Sequence, residues 1–291
     1  MAIRSGLILV LLFVAACSSK KDTPPEPPER EGRLSAAVVF VHTPTPVQDF
    51  LAEPGRSYVE AWFSFPPDLA PDLWFGIDQE LVEGVEQPRH FAGADWMGLI
   101  AVNRNGQLGI PVGSAQSQAG NPDDAGNWEV RDLGITFQPN TWYRMRGIVN
   151  FATLRFEAVE LSGPSLDVRE DLSGLLLSYP NNIPLDRPSM TYYVFALQTR
   201  EYRQPGSTRV FFDDLKAGIE QNGEWLTVFA DGFEDQTVAT DIPVELPVSP
   251  LSIIAESLWY KEREEALLEF TNERQRSGNT SLVCDATLRV Q

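Results

Sequence analysis

Acidic and imidazole side chains are the groups in this sequence that could transfer protons. Asp78 and Glu80 are two positions apart, a spacing that on a β-strand would place both carboxylates on one face as an acid/base pair. The run lies beside Pro- and Gly-rich segments, so we favour a solvated turn there. The two histidines, His42 and His90, stand in no nucleophile or zinc-ligand pattern, and we expect both in loops. The sequence therefore predicts no catalytic residue, and binding without turnover is the better interpretation.

Aromatic and arginine side chains could bind a sugar. On two segments with period-two alternation, such residues share the face opposite the apolar one. They are Tyr58, Glu60 and Trp62 on the first segment, and Trp142, Arg144 and Arg146 on the second. Aromatic rings stack on the apolar faces of sugars, and charged groups bind the hydroxyls. In the other interpretation, Trp62 and Trp142 pack against a second sheet or a covering loop, since aromatic residues also dominate protein cores.

Oxygen-rich side chains cluster in the sequence between positions 213 and 235. They are Asp213, Asp214, Asp231, Glu234 and Asp235. A hard cation such as Ca²⁺ takes six to eight oxygen ligands, so this set could hold a structural calcium ion. The alternative is a group of acidic turns in a chain that has 41 Asp and Glu residues.

β-Strands must position these candidates. Segments rich in β-branched and aromatic residues alternate with period two between turn-forming runs. Strands are predicted at 57–65, 97–102, 128–133, 142–150, 153–161, 191–200 and 208–219. Many strands without alternating helices predict an antiparallel sandwich or barrel rather than a βαβ fold. Residues within 251–270 favour helix by propensity, so we expect at most one short C-terminal helix.

The N-terminus has the pattern of an export signal. A positive charge precedes an apolar run at 6–16, which is shorter than the roughly 20 residues that span a bilayer. Val14-Ala15-Ala16-Cys17 resembles the bacterial lipobox. That resemblance implies a signal peptide at 1–16 and cleavage before Cys17. It also implies that the Cys17 thiol is alkylated by diacylglycerol and that the new amino group is acylated by a fatty acid such as palmitate. In that family Ser18 implies sorting to the outer membrane of a Gram-negative cell. An ordinary secretory signal with a chance cysteine is the alternative.

The next segment is predicted to be a tether. Residues 17–33 combine the lipidated Cys17 with four prolines and charges of both signs, and contain no large apolar residue that could enter a core. Proline-rich chains extend by about 3.1 Å per residue, so the tether would hold the following domain away from the lipid surface.

The order of motifs from 34 to 220 resembles the concanavalin A-like lectin and glucanase jelly roll. The matching motifs are Tyr58-Val59-Glu60-Ala61-Trp62-Phe63, Asn140-Thr141-Trp142-Tyr143-Arg144-Met145-Arg146 and Val210-Phe211-Phe212-Asp213-Asp214-Leu215-Lys216. The resemblance implies an antiparallel two-sheet sandwich. Glucanases of that family carry a Glu-x-Asp pair on one strand, which this sequence lacks. Polysaccharide lyases of the same fold bind with Arg, Gln, His and Tyr, and this likeness adds Tyr192 to Arg144 and Arg146 as a candidate ligand-binding residue.

Two elements that usually open such a jelly roll come last in this sequence. They are Asp231-Gly232-Phe233-Glu234-Asp235 and Ser277-Gly278-Asn279-Thr280-Ser281-Leu282. The fold is then either circularly permuted or followed by the start of a second domain. About 70 residues are too few for a second jelly roll, so 221–291 is predicted to supply strands to the sandwich formed by 34–220. A separate appendage is the alternative.

Composition restricts the partners. The formal net charge of −18 disfavours nucleic acid, because binding to phosphates requires basic residues. If Cys17 carries lipid, Cys284 has no disulfide partner, and its alternating neighbours place it on the inward face of a strand.

Together these observations predict an exported lipoprotein, anchored by lipid at the outer membrane or cell surface. Its non-catalytic, lectin-like domain would bind glycan or a surface protein. A polysaccharide lyase or glycoside hydrolase with an unrecognised site is one alternative. A structural subunit of a cell-surface assembly is the other.

Overall fold

The structure is a computed structural model that describes residues 33–86, 88–111, 128–179, 182, 185–198, 204–238, 242, 259–261 and 267–287. Within these residues the chain forms one helix, α1 (Thr45–Ala52), and sixteen strands. The strands are β1 (Arg33–Val41), β2 (Arg56–Ser64), β3 (Leu73–Val82), β4 (Asp95–Met97), β5 (Ile100–Asn103), β6 (Gln107–Pro111), β7 (Trp128–Asp132), β8 (Tyr143–Asn150), β9 (Arg155–Gly163), β10 (Leu166–Asp171), β11 (Ser189–Gln198), β12 (Arg209–Gln221), β13 (Glu224–Asp231), β14 (Tyr260–Lys261), β15 (Leu267–Thr271) and β16 (Ser281–Asp285). In the described ranges no helix has the length and apolar character that crossing a membrane requires.

The strands form two antiparallel sheets. Sheet A has the order β14-β1-β11-β3-β5-β6-β7, and β4 pairs with β3. Its central strands β3 and β11 are buried at every position, so both of their faces are covered. Sheet B has the order β10-β9-β8-β2-β12-β16-β15, and β13 pairs with the second half of β12.

The core lies between the two sheets. Phe63 on sheet B and Phe75 on sheet A have ring centroids 5.1 Å apart, and one buried apolar cluster includes residues from both sheets. Helix α1 packs Phe50 edge-on against Phe151, at 6.4 Å between ring centroids. The predicted fold class, an all-β antiparallel two-sheet jelly-roll sandwich, is confirmed.

The C-terminal residues supply strands to sheet B. β16 pairs with the start of β12, so that Val210 lies opposite Cys284, and β15 pairs with β16. The inward side chains Leu268, Phe270 and Cys284 are buried in the same core as Phe63. The Cys284 thiol is fully buried and donates to the Val194 carbonyl at 3.7 Å, which confirms its predicted inward placement.

The helix predicted within 251–270 is corrected by β15. Leu268 and Phe270 are buried while Glu269 between them is exposed, so the side chains alternate with the period of a strand. Pairing with β16 and burial of two apolar side chains outweigh helix propensity, which is a weak preference of a few tenths of a kcal/mol per residue. The rest of that prediction, at 251–258 and 262–266, lies outside the described residues.

Candidate functional site

The face of sheet B that points away from the core brings most of the predicted ligand-binding residues together. β2 and β8 are antiparallel neighbours, and their register places Trp62 opposite Arg144 and Glu60 opposite Arg146. Because side chains alternate along a strand, these residues share one face. We call it the arginine–aromatic face, defined by Arg56, Tyr58, Glu60, Trp62, Trp142, Arg144, Arg146 and Trp225.

A stack of rings and a guanidinium occupies one end of this face. Tyr58 is buried, and its hydroxyl shares a hydrogen bond with Thr227 Oγ1 at 3.1 Å. The Arg146 guanidinium lies 3.9 Å from the centroid of the Tyr58 ring, and Trp225 meets the same ring edge-on at 5.2 Å. Both Arg56 and Arg146 lie 5.1 Å from the Trp225 ring. Trp225 is 36% exposed, so part of its indole remains open to solvent.

Gly218 allows this stack to lie close to the sheet. It is opposite Tyr58 in the register of β12 and β2. A Cβ at this position would be 2.3 Å from Tyr58 Cε1 and 2.7 Å from the carbonyl oxygen of Leu226. Only a residue without a side chain leaves room for the Tyr58 ring here.

The loop between β15 and β16 covers the other end of the face. Arg276 places its guanidinium 3.8 Å from the centroid of the Trp62 ring, and it also forms an ion pair with Asp214. Trp142 Nε1 donates to the Gln275 carbonyl at 3.1 Å. For Trp62 and Trp142, packing against a covering loop is therefore what the structure shows.

The arginines in the middle of the face have spare hydrogen-bonding capacity. The Nε atoms of Arg144 and Arg146 are both buried, and neither has a hydrogen-bond partner within the described part of the chain. The nearest carboxylate oxygen to Arg144, from Glu60, is 3.8 Å from Nη1. Arg56 differs, because it contacts Glu157 at 2.8 Å and Glu220 at 2.6 Å. The side chains of Arg144 and Arg146 are nevertheless only partly buried, so a ligand could approach them from solvent, although not at the buried Nε atoms.

Tyr192 does not join this face. It lies on β11 with its side chain in the core between the sheets, where its ring stacks on Phe229 at 6.4 Å. The ring is fully buried, and this burial raises the pKa of Tyr192 above its ordinary value. Its neighbour Tyr193 points to the opposite face of sheet A. A ligand on the arginine–aromatic face does not reach Tyr192, which corrects its inclusion in the predicted set.

The acidic residues of the predicted calcium site bind the chain's own N–H groups. Asp213 is fully buried, and its Oδ2 accepts from the backbone N–H of Arg276 at 2.8 Å and of Ser277 at 3.2 Å. Desolvation raises the pKa of Asp213. Asp231 accepts from the N–H of Phe233 at 2.6 Å and from Trp259 Nε1 at 2.7 Å.

The remaining acids of that set do not complete a metal site. Asp214 pairs with Arg276 and accepts from Ser277 Oγ at 3.1 Å. Glu234 accepts from the N–H of Asn279 at 2.7 Å, and Asp235 is exposed. In the part of the chain that the structure describes, no group of three or more His, Cys, Asp or Glu side chains is arranged to hold a metal ion. The role that these contacts give Asp213, Asp214 and Glu234 is to fasten the loop between β15 and β16.

Asp78 and Glu80 belong to a strand rather than to the solvated turn that the sequence suggested. Both lie on the buried strand β3, while Gln79 between them donates to the Gly147 carbonyl across the core at 3.0 Å. Glu80 Oε2 accepts from Thr191 Oγ1 at 3.1 Å and from the Tyr193 hydroxyl at 3.0 Å. The turn-forming residues on either side, at 66–72 and 83–86, made this segment resemble a loop, whereas it is a strand with neighbours on both sides.

Trp225 and Arg56 were missed by sequence reasoning, which ended the closing strand at 219. Asn222-Gly223 is a two-residue hairpin signal, and both residues have the positive φ that such turns require, 54° and 82°. The residues that follow, from Glu224 onward, therefore return along β12 as β13 and bring Trp225 beside Tyr58.

No protein-family model and no curated protein matches this sequence. Among solved structures, the chain is similar to a Scytalido-glutamic peptidase crystallised with a peptide-based transition state analog, at 11% identity and a TM-score of 0.37, over 88% of this chain and 98% of that one. It is also similar to an alginate lyase from Pseudomonas aeruginosa, at 15% identity and a TM-score of 0.30, over 57% of this chain and 65% of that one. A protein of unknown function from Shewanella oneidensis MR-1 is similar at 13% identity and a TM-score of 0.28, over 54% of this chain and 64% of that one. At these identities the similarities concern the fold alone.

Proposed function

We propose that this chain is an exported lipoprotein, anchored to the outer membrane or cell surface through Cys17, whose arginine–aromatic face binds glycan without turnover. The observation that carries the binding proposal is the meeting of five positions that are distant in sequence. Tyr58 and Trp62 on β2 meet Arg144 and Arg146 on β8, with Trp142 just before that strand. The anchor proposal is supported by Val14-Ala15-Ala16-Cys17 and by the Pro-rich tether that follows it.

Binding is favoured over catalysis because arginines engage the acids of this face. Hydrolysis of a glycoside requires two carboxylates that are free to act on the scissile bond from opposite sides. Here Glu157 and Glu220 both pair with Arg56, and Glu160 pairs with Arg169. Glu60 lies 3.8 Å from Arg144. Loss of these contacts would leave charged groups unpaired, which opposes their use as an acid and a nucleophile.

The chemistry of the face fits a sugar. The open part of Trp225 offers an apolar ring surface for the CH groups of a pyranose, and the partly exposed Arg144 and Arg146 could donate to hydroxyl or acidic substituents of the same ligand. A flat protein partner would instead require a wide apolar patch. Exposed large apolar residues among the described residues are few and include Trp225 and Leu226 on β13 and Val130 on β7.

The anchor is tested by the Cys17→Ala variant. We expect this chain to lose membrane association, because the acyl chains attached to Cys17 supply the apolar surface that enters the bilayer. The measurement is fractionation of cells after a high-salt wash, with Cys284→Ala as a matched control that removes a thiol from the core and leaves the anchor. A Cys17→Ala chain that still sediments with membranes would refute the anchor.

The binding function is tested with the full chain in detergent on a glycan array. We expect retention of at least one glycan class, and weaker retention of the Trp225→Ala variant. Val130→Ala is the matched control, because Val130 is 45% exposed on sheet A, away from the face. Absence of binding, or equal binding by Trp225→Ala, would count against the proposal. Release of reducing ends or unsaturated uronates from a bound glycan would replace it with the enzyme alternative.

A further inference from the structure

We infer that the glycan recognised by this face carries a carboxylate, which the adjacent arginines Arg144 and Arg146 bind. This inference rests on the proposed glycan-binding function and specifies its substrate class. Three features of the face support it: the rings that are already covered, the donors that are not used, and the position of the two arginines on one strand.

The aromatic rings are largely occupied by guanidinium groups. Arg146 lies over Tyr58 at 3.9 Å, and Arg276 lies over Trp62 at 3.8 Å. A neutral sugar binds an aromatic face by stacking its CH groups on it, so these two rings do not offer that surface. Trp225 is the exposed ring of this stack, with 36% of its surface open to solvent. Recognition must then depend mainly on the guanidinium groups.

These guanidinium groups have donors to spare. Each of Arg144 and Arg146 has a buried Nε without a hydrogen-bond partner in the described residues. Leaving a buried donor unpaired is costly, more so when the group is charged. The register neighbours of Arg146 are Glu60 and Glu160, yet Glu160 pairs with Arg169, and the Arg146 guanidinium lies on the rings instead. The two side chains as a whole are only partly buried, so a planar carboxylate, which matches the fork of an arginine better than a hydroxyl does, can approach them from solvent without reaching the buried Nε atoms.

The spacing of the two arginines suits a single acidic substituent. Arg144 and Arg146 are two residues apart on β8, so their backbone positions are about 7 Å apart on the same face. Two arginine side chains that start from such neighbouring positions on one face can converge on one carboxylate, or on the carboxylate and ring oxygens of one uronic acid residue. The open indole of Trp225, close to Arg146, is placed to contact the CH face of that residue.

The overall negative charge opposes this binding only weakly at physiological salt, and the nearest acids, Glu60 and Glu160, are paired with Arg144 and Arg169. The net charge of −18 repels anions at long range, but charges more than about 8 Å apart are largely screened at 0.15 M salt. A carboxylate in direct contact with two arginines is much less screened. Selectivity should therefore come from this contact and not from the overall field of the protein.

The test compares two ligands that differ only in the carboxylate. Isothermal titration calorimetry of the full chain in detergent would use a 1,4-linked uronic acid hexamer and its carboxyl-reduced, neutral counterpart. We expect the wild-type chain to prefer the uronate by about tenfold or more, since a hydrogen bond between charged groups is stronger than one to a neutral hydroxyl. Arg144→Gln and Arg146→Gln should each reduce that preference by about tenfold. Arg146→Lys keeps the charge without the fork and should lie between.

The matched control is Arg155→Gln, which removes the same charge from an exposed residue at the start of β9 whose guanidinium donates to the Ser173 carbonyl at 3.5 Å. It should leave the preference unchanged. Equal binding of both hexamers by the wild-type chain would overturn the carboxylate inference while the glycan function stands. Binding of neither hexamer, together with an empty glycan array, would overturn both. Polyglutamate that binds as tightly as the uronate would indicate an acidic protein partner and would also overturn the inference.

Discussion

Replacement of Gly218 by alanine tests whether the Tyr58 stack is as tightly packed as the geometry indicates. An added Cβ would lie 2.3 Å from Tyr58 Cε1, 2.8 Å from Tyr58 Cζ and 2.7 Å from the Leu226 carbonyl oxygen. The Leu226 oxygen belongs to the backbone of β13, so it can move only if β13 shifts away from β12. Tyr58 is held from above by Arg146 and Trp225. The methyl group therefore has no direction in which it fits without displacing a neighbour.

The expected loss of stability follows from this overpacking. Inserting a methyl group into a closely packed site costs about 1–3 kcal/mol. For a chain of this size, 1 kcal/mol corresponds to roughly 2–4 °C in Tm, so Gly218→Ala should melt roughly 2–12 °C below the wild type. Moving the Tyr58 ring also moves the Arg146 guanidinium that lies on it. Gly218→Ala should therefore weaken uronate binding directly, and by more than its lower Tm alone would cause.

Thermal melts and urea titrations of the full chain provide the measurement. Gly174→Ala is the matched control, because nothing lies within 4 Å of a Cβ there and its φ is not in the left-handed region. That control should be neutral, or more stable by about 0.4–1 kcal/mol. A double-mutant cycle with Tyr58→Ala should show coupling, since removal of the ring relieves half of the clash. A Gly218→Ala chain that melts with the wild type and keeps its affinity would refute the packing argument.

Three further predictions concern the core and the C-terminal strands. In the Cys17→Ala chain, Cys284 should react with thiol reagents only when the protein unfolds, because the thiol is buried and burial raises its pKa. Rapid labelling of Cys284 in the folded protein would contradict this. Desolvation raises the pKa of Asp213 above 3.8, so the folded state binds a proton that the unfolded state has released. The free energy of unfolding of the wild type, relative to that of Asp213→Asn, should therefore fall as the pH rises from about 4 through that pKa. If urea melts give a difference between the two chains that does not change with pH, the raised pKa of Asp213 is wrong. Deletion after Glu220 removes β13, β14, β15 and β16 and exposes Val210 and Phe212, so the truncated chain should aggregate. A cooperative melt at an unchanged midpoint would instead show that 34–220 folds alone.

Four strands with an exposed face, β2, β7, β8 and β9, were predicted to within about two residues. β11 was predicted as closely although it is buried on both faces, whereas β1, β3, β10 and β13 were missed. β2 and β8 each present an apolar face to the core and polar residues to the outside, which gives the period-two pattern. β1 and β3 are buried on both faces, so their sequences do not alternate. A continuous apolar run such as 36–41 carries no periodicity that separates a buried strand from a buried helix.

The same limit explains which part of the candidate site the sequence could locate. On β2 and β8 the polar face is unambiguous, and so Tyr58 and Arg146 were assigned correctly to one surface. On β11 both faces are apolar or aromatic, and the sequence does not reveal that Tyr192 faces the core while Tyr193 faces outward. The contribution of Arg276 depends on a contact 214 positions from Trp62 in sequence, which no local pattern encodes.

The loop between β15 and β16 links the stability of the fold to the chemistry of the face. Asp213 holds the backbone of this loop through the N–H groups of Arg276 and Ser277, and Gln275 accepts a hydrogen bond from Trp142. The loop thereby places the Arg276 guanidinium on the ring of Trp62, where a neutral sugar would otherwise stack. A carboxylate loses nothing by this arrangement, because it binds guanidinium groups and not ring faces. In the proposed function, the C-terminal strands therefore complete the core and at the same time bias the face toward acidic sugars.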